Sequence, residues 1–410
     1  MKRARRRIGL GATLTLALAG LLAAAPAVAS ASPQAPNACA PQVQGPARMG
    51  PIAGIVPAVP VTGGCQTQSA SPAQSTSPAQ GSSPAQSSSP AQSASPAQGA
   101  GDPAIGTPPL IFHGGAVMGT RSTGPVVVTP VFWNPAGHPI AGAYKRIIDT
   151  YLAGVAAASG QHTNVFSTLN EYYGSNGNIR YRIRLGAPVN DRNPLPADGC
   201  TLDPLDTSGI YADNSGYNAC LDDDQVIAET DSVVTAHRLP QDLAHIYVMF
   251  LPKHVESCFY AGSTTTADNF CTINHQPSAA YCAYHSQAPS GTVYANLAFP
   301  IYQSPVGFTC GTEKNFGAIQ TPNGNPDADT EVSPTSHEIM EAITDPDTST
   351  GWYDSSGYEN GDECAYVFGT TQGTPGKFYN QVINHRHYLT QEEFSNRDFF
   401  RTGGGCLQSE

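Results

Sequence analysis

The side chains in this sequence best placed to do chemistry together lie between Ser333 and Cys364, in the runs S-P-T-S-H-E-I-M-E-A-I-T-D-P-D, G-W-Y-D and E-N-G-D-E-C. The centre of the stretch, His337-Glu338-x-x-Glu341, has the form of a zinc-protease helix signature with glutamate where the second histidine would stand. An imidazole and a carboxylate four residues apart share one helical face and can meet one divalent ion. Glu338, beside them, is the catalytic candidate, because a carboxylate there can take a proton from a polarised water. The expected metal ligands are His337 and Glu341, completed by Asp347 or Asp362, with Asp345 and Glu359 ranked behind. Zinc is the first expectation for the ion. A shell of two carboxylates also suits calcium or manganese, and its negative charge weakens the ion's pull on water. The competing reading is a solvated surface helix whose acids serve only solubility.

These residues need a helix, and the local sequence supplies its signals. Ser333 can cap it, Pro334 suits its first position and Pro346 stops it, so a short helix is expected. At about 100° per residue, His337, Glu341, Asp345 and Glu338 fall within one sector, and Ile339, Met340 and Ile343 occupy the opposite one. Asp347 stands six residues past Glu341, where metzincin peptidases place a third ligand. However, Thr344 replaces their turn glycine and no methionine follows Met340. The longer-spaced choice takes Glu359 or Asp362 from beyond the loop. His385 and His387, two apart on an expected strand, form a rival pair without a nearby acid, and His285 beside Cys282 could join through the fold. No Gly-x-Ser-x-Gly elbow supports a serine nucleophile.

The surrounding pattern predicts strands over residues 125–133, 179–185, 244–251, 279–285, 293–299 and 382–389. Helices are predicted over residues 141–158, 165–173 and 222–237. Strands and helices mixed in this order predict an α/β (α+β) domain, a single mixed sheet packed by helices, disulfide-bonded and compatible with a zincin-like arrangement.

Residues 1–31 have the form of an export signal: Lys2, Arg3, Arg5, Arg6 and Arg7 precede an apolar run and an Ala27-Val28-Ala29 cleavage site. Residues 32–68 are rich in Pro, Ala and Gly, and little order is expected there beyond a Cys39–Cys65 loop. Residues 69–100 repeat Ser-Pro-Ala-Gln, an uncharged spacer that cannot bury enough surface to fold. Residues 101–410 form the expected globular domain. No later apolar run approaches the ~20 residues needed to span a bilayer, so no membrane insertion is expected after signal removal.

The chain has 20 basic and 32 acidic residues, and loss of the signal's five basic residues leaves a net charge of about −17. Such a surface repels phosphate backbones, which excludes nucleic acid as a partner and favours cations. Ten cysteines, with no Cys-x-x-Cys pair, fit disulfides in a secreted protein rather than thiolate zinc sites.

Several of these motifs in order resemble the Exordium, or phosphate-induced protein 1, family of secreted proteins. The likeness spans most of Phe112 to Cys406. It includes H-G-G-A-V-M-G with V-V-V-T-P-V-F-W, then Y-V-M-F-L with Val255-Glu256-Ser257-Cys258, then Y-C-A-Y-H-S, and is sharpest in S-H-E-I-M-E-A-I-T-D-P, G-W-Y-D and G-D-E-C. Ala283, where the family usually has glycine, and the long spacer are departures. The resemblance implies an extracellular protein, associated in plants with cell expansion and growth signalling, and specifies location rather than reaction. Two functions follow as expectations. One is a metal-dependent hydrolase acting on peptide or cell-wall glycan. The other is a non-catalytic wall or matrix protein with a structural cation. Oligomeric state is not legible.

Overall fold

A computed structural model describes residues 55–57, 59–60, 101–202, 208–211, 213–260, 270–273, 281–302 and 308–410. The export signal, the Ser-Pro-Ala-Gln repeats and the expected Cys39–Cys65 pair lie outside these residues.

The domain is mixed α/β. Its main sheet has seven strands: β1 (Ile55–Pro57), β2 (Val126–Trp133), β3 (Ile183–Leu185), β4 (Val189–Asp191), β5 (His245–Phe250), β6 (Tyr281–Gln287) and β7 (Val293–Leu297). Their spatial order is β1-β6-β7-β5-β2-β3, with β4 also beside β2. Strands β7, β5, β2, β3 and β4 run parallel, whereas β6 is antiparallel to β7 and β1 antiparallel to β6. Strand β2 is V-V-V-T-P-V-F-W, and its β-branched side chains suit a strand buried on both faces. Pro130 is tolerated at its centre for a specific reason. Val128 accepts from Gly186 on the β3 side, so two residues later Pro130 directs its missing N–H to the same side, where β3 ends and β4 has yet to begin.

The pleat sorts the core into two layers. On β5, Ile246, Val248 and Phe250 join the cluster that includes helices α1 (Gly142–Ala157) and α3 (Pro326–Thr344); Tyr247 and Met249 join the cluster that includes α2 (Asp223–His237). Helix α1 forms because Tyr144, Ile148, Tyr151, Leu152 and Val155 recur at helical spacing and are all buried, each such side chain contributing about 1.5–3 kcal/mol. Asp222 and Gln225 close a capping box at the start of α2. The predicted strands and helices are present in this order, most with ends shifted by one or two residues.

Four expectations need correction. The helix bearing His337 starts at Pro326 rather than at Pro334: Asn325 accepts from the Ala328 N–H at 3.0 Å and Pro326 takes the first turn. Pro334 is therefore internal, and the Ser333 hydroxyl accepts from the Gln391 N–H instead of capping. Residues 382–389 form a hairpin, Gln381–Ile383 with Arg386–Tyr388, because Asn384 and His385 take the positive φ that a two-residue turn demands. Residues 165–171 wind as a 3-10 helix, and the strand expected over 179–185 is confined to Ile183–Leu185. Within the expected Cys39–Cys65 loop, the chain contributes β1 and a second short strand, Val59–Pro60, which pairs with Phe308–Thr309.

Eight cysteines pair as Cys200–Cys220, Cys258–Cys271, Cys282–Cys310 and Cys364–Cys406. Among the described residues, no helix is long and apolar enough to cross a membrane.

Candidate metal centre

Three elements bring the chemistry together. Helix α3 carries His337, Glu338 and Glu341. Strand β6 lies against α3 and carries His285. A short 3-10 turn, Asp362–Cys364, presents Asp362 and is held by the Cys364–Cys406 disulfide. Both faces of α3 are buried, so its acids do not serve as a solvated stripe. None of His285, His337, Glu338, Glu341, Glu359 or Asp362 is more than 2% exposed.

Ligand-type atoms of His337, Glu341 and Asp362 all lie within 4.8 Å of one another. His337 Nε2 is 2.8 Å from Glu341 Oε1 and 3.5 Å from Asp362 Oδ1, yet Nε2 and Oδ1 make no aligned hydrogen bond. Close approach without alignment is the arrangement expected when several donors point at one common ion position. The Asp362 N–H donates to Glu341 Oε1 at 3.0 Å, which fixes the turn against the helix. Gly361 is required by space: a Cβ there would sit 2.7 Å from His337 Cγ.

His337 Nδ1 is 2.9 Å from the side-chain nitrogen of Gln391, which also donates to the Gly361 carbonyl at 2.7 Å. The Gln391 amide, held by the Gly361 carbonyl, thereby fixes the orientation of the His337 ring. Burial alone would lower the pKa of His337, but the negative charges of Glu341, Asp362 and Glu338 outweigh it and hold that pKa well above the ordinary value.

A second group shares Glu341. Ligand atoms of His285, Glu338 and Glu341 also lie within 4.8 Å of one another. His285 Nε2 is 2.9 Å from the Asp345 carbonyl oxygen, which can only accept, so this nitrogen carries the proton. Burial lowers the pKa of His285 and favours its neutral form. Its Nδ1 lone pair then faces Glu338 Oε2 at 3.3 Å and Glu341 Oε2 at 3.7 Å. Three acceptors cannot face one another uncompensated, and a proton shared with Glu338 or a cation among the three resolves the conflict.

The acids around the two groups are strongly perturbed. Burial, then the charge of Glu341, push Asp362 up to about 7. Burial, then Asp347 and Glu341, push Asp345 up to about 9, and Glu359 is raised by burial and by Glu341. Negative charge buried at this density needs protons or a cation.

The sequence-based ligand ranking is thus rearranged. His337, Glu341 and Asp362 converge, and Glu338 faces His285. Asp347 does not join them: it is exposed past Pro346, where its carboxylate accepts from the Ser349 hydroxyl at 2.8 Å and closes the turn on itself. His385 occupies the hairpin turn and His387 stacks on Tyr379 with ring centroids 3.8 Å apart, so neither forms a metal pair. His285 belongs to the site although it lies 52 residues before His337. Its only sequence signal was a histidine within a strand that also bears a cysteine. Among the described residues, the two other clusters with ligand spacing are built around Cys200, Cys220, Cys258 and Cys271, whose sulfurs are already committed to disulfides.

Comparisons with protein-family models, with curated proteins and with solved structures each return no match.

Proposed function

We propose that this is a secreted, Exordium-like, metal-dependent hydrolase acting on peptide bonds, with His337, Glu341 and Asp362 holding a divalent cation, zinc first. The observation that carries the proposal is the convergence of one imidazole and two carboxylates within 4.8 Å, buried, with His337 Nε2 and Asp362 Oδ1 lacking aligned hydrogen bonds. When bound, the cation would polarise a carbonyl and acidify water. Glu338 is the general base, and it is placed to pass a proton on because His285 turns an unprotonated Nδ1 toward it at 3.3 Å. The Asp345 carbonyl holds that ring in the required tautomer. Gln391 orients the other imidazole.

The test is elemental analysis of protein purified without chelators, followed by peptide hydrolysis assays of wild type and Glu338→Gln. The expected result is a bound divalent ion in both proteins and hydrolysis reduced at least 100-fold in the variant. A wild type that holds its ion but cleaves no peptide or glycan across broad substrate sets would overturn the catalytic part.

A second reading, a cation that only supports the fold of a wall or matrix protein, is favoured by the donors' near-total burial, since catalytic sites keep one position open. It predicts that His337→Ala unfolds the domain and that Glu338→Gln changes nothing else.

A further inference from the structure

The strand that precedes the spacer borders the three elements that carry the candidate donors. Strand β1, Ile55–Pro57, pairs antiparallel with β6, with Ile55 opposite Tyr284, Val56 opposite Ala283 and Pro57 opposite Tyr281. Without it, β6 would be the edge of the main sheet. Strand β1 also packs against α3 and against the Asp362–Cys364 turn. These three neighbours are the elements that carry the candidate donors: His285 on β6; His337, Glu338 and Glu341 on α3; and Asp362 on the turn.

We propose that the edge of β6 is a binding site for an extended peptide strand, and that in the intact chain its occupant is the chain's own Ile55–Pro57 segment. Main-chain hydrogen bonding to an exposed strand edge gives affinity for extended peptide irrespective of most side chains. The occupant suits the role. Ile55 and Val56 are β-branched, and Pro57 ends the strand. The 40 residues between Pro60 and Gly101 join the segment covalently to the rest of the domain. A tethered strand competes at an effective concentration near the millimolar range, so it excludes free peptide until it is cut or displaced. This inference rests on the hydrolase reading and deepens it: the substrate class is extended polypeptide.

The experiment uses the mature full chain and the variant Ile55→Pro/Val56→Pro. Neighbouring strand residues direct their N–H groups to opposite sides, so the double substitution removes whichever amide faces β6 and leaves the domain after the spacer unaltered. Amide hydrogen exchange is followed over Tyr281–Gln287. Wild type is expected to protect those amides of residues 281–284 that face β1, and the variant to exchange these at least 10-fold faster while the alternate amides, directed to the β7 side, are unchanged. A synthetic peptide with the sequence of residues 52–60 is expected to restore protection in the variant and to bind wild type at least 10-fold more weakly. Fast exchange in wild type, or unchanged protection in the variant, overturns the proposal. Absence of hydrolysis in both proteins with the exchange pattern intact removes the hydrolase reading and leaves the strand site. Hydrolysis with no exchange difference removes the strand site alone.

Discussion

His285 Nε2 lies 2.9 Å from the carbonyl oxygen of Asp345, the residue that ends helix α3, and this contact decides which imidazole nitrogen faces the buried carboxylates. A carbonyl accepts and never donates, so the remaining nitrogen presents a lone pair to Glu338 and Glu341. The end of one element thereby sets the protonation pattern of a side chain on another, 60 residues earlier.

His285→Ala removes the donor to that carbonyl and leaves a buried acceptor unsatisfied. The expected loss is about 1–3 kcal/mol in denaturant unfolding, with peptide hydrolysis falling further than metal content. Equal losses of hydrolysis and metal would place His285 among the ligands rather than beside the base.

Chelator-treated protein should lose stability as pH rises from about 4 to about 9. The reasoning is one of sign: burial raises Asp362 to about 7 and Asp345 and Glu363 to about 9, against ordinary carboxylates near 4. The folded state therefore binds more protons than the unfolded state across that window, so its advantage is complete below about pH 4 and shrinks above it. Adding zinc, manganese or calcium should reverse the slope for the ion that binds, because ligands must be deprotonated. Unfolding midpoints from pH 4 to 9, with and without ion, test both directions; a flat chelated profile would count against protonated acids.

Gln391→Ala should weaken metal affinity about 10- to 100-fold while leaving the fold intact, because it frees His337 from the group that orients its ring. Competition with a fluorescent chelator measures this, and an unchanged affinity would remove Gln391 from the site's support.

Gly361→Ala should act on the same ring from the other side. Since the added carbon would sit 2.7 Å from His337 Cγ, either the ring or the Asp362 turn must move. A cost of about 1–3 kcal/mol and a loss of metal binding are expected, read by thermal unfolding and elemental analysis.

Removing the Cys364–Cys406 bridge by paired serine substitutions releases a loop spanning 42 positions. The chain-entropy estimate for such a loop is about 4 kcal/mol, so a clear drop in stability is expected together with weaker metal binding, because this bridge holds the turn that presents Asp362. Intact affinity in the reduced-stability variant would show that the Asp362 N–H contact with Glu341 suffices.

Local signals made part of this legible. Strands β2 and β5, helix α1 and the helical pairing of His337 with Glu341 follow from side-chain periodicity, which depends only on near neighbours. The start of α3 differs from the expectation because the sequence offers two proline-bearing caps, at Asn325 and Ser333; Asn325 caps the helix, and Ser333, inside it, accepts from the Gln391 N–H. Asp347 matched a spacing pattern, but once Pro346 ends the helix its carboxylate is used by the turn.

The sequence by itself determined the composition of the site: a histidine and a glutamate one helical turn apart, a supply of acids downstream, and cysteines enough to brace them. Only the tertiary structure decided the membership, drawing Asp362 in through a disulfide-held turn, His285 in from a strand, and leaving Asp347 out. The physical reason is range. Periodicity and capping act over a few residues, whereas a cation site and a strand edge are made by groups that meet only after the sheet, helix and turn have packed.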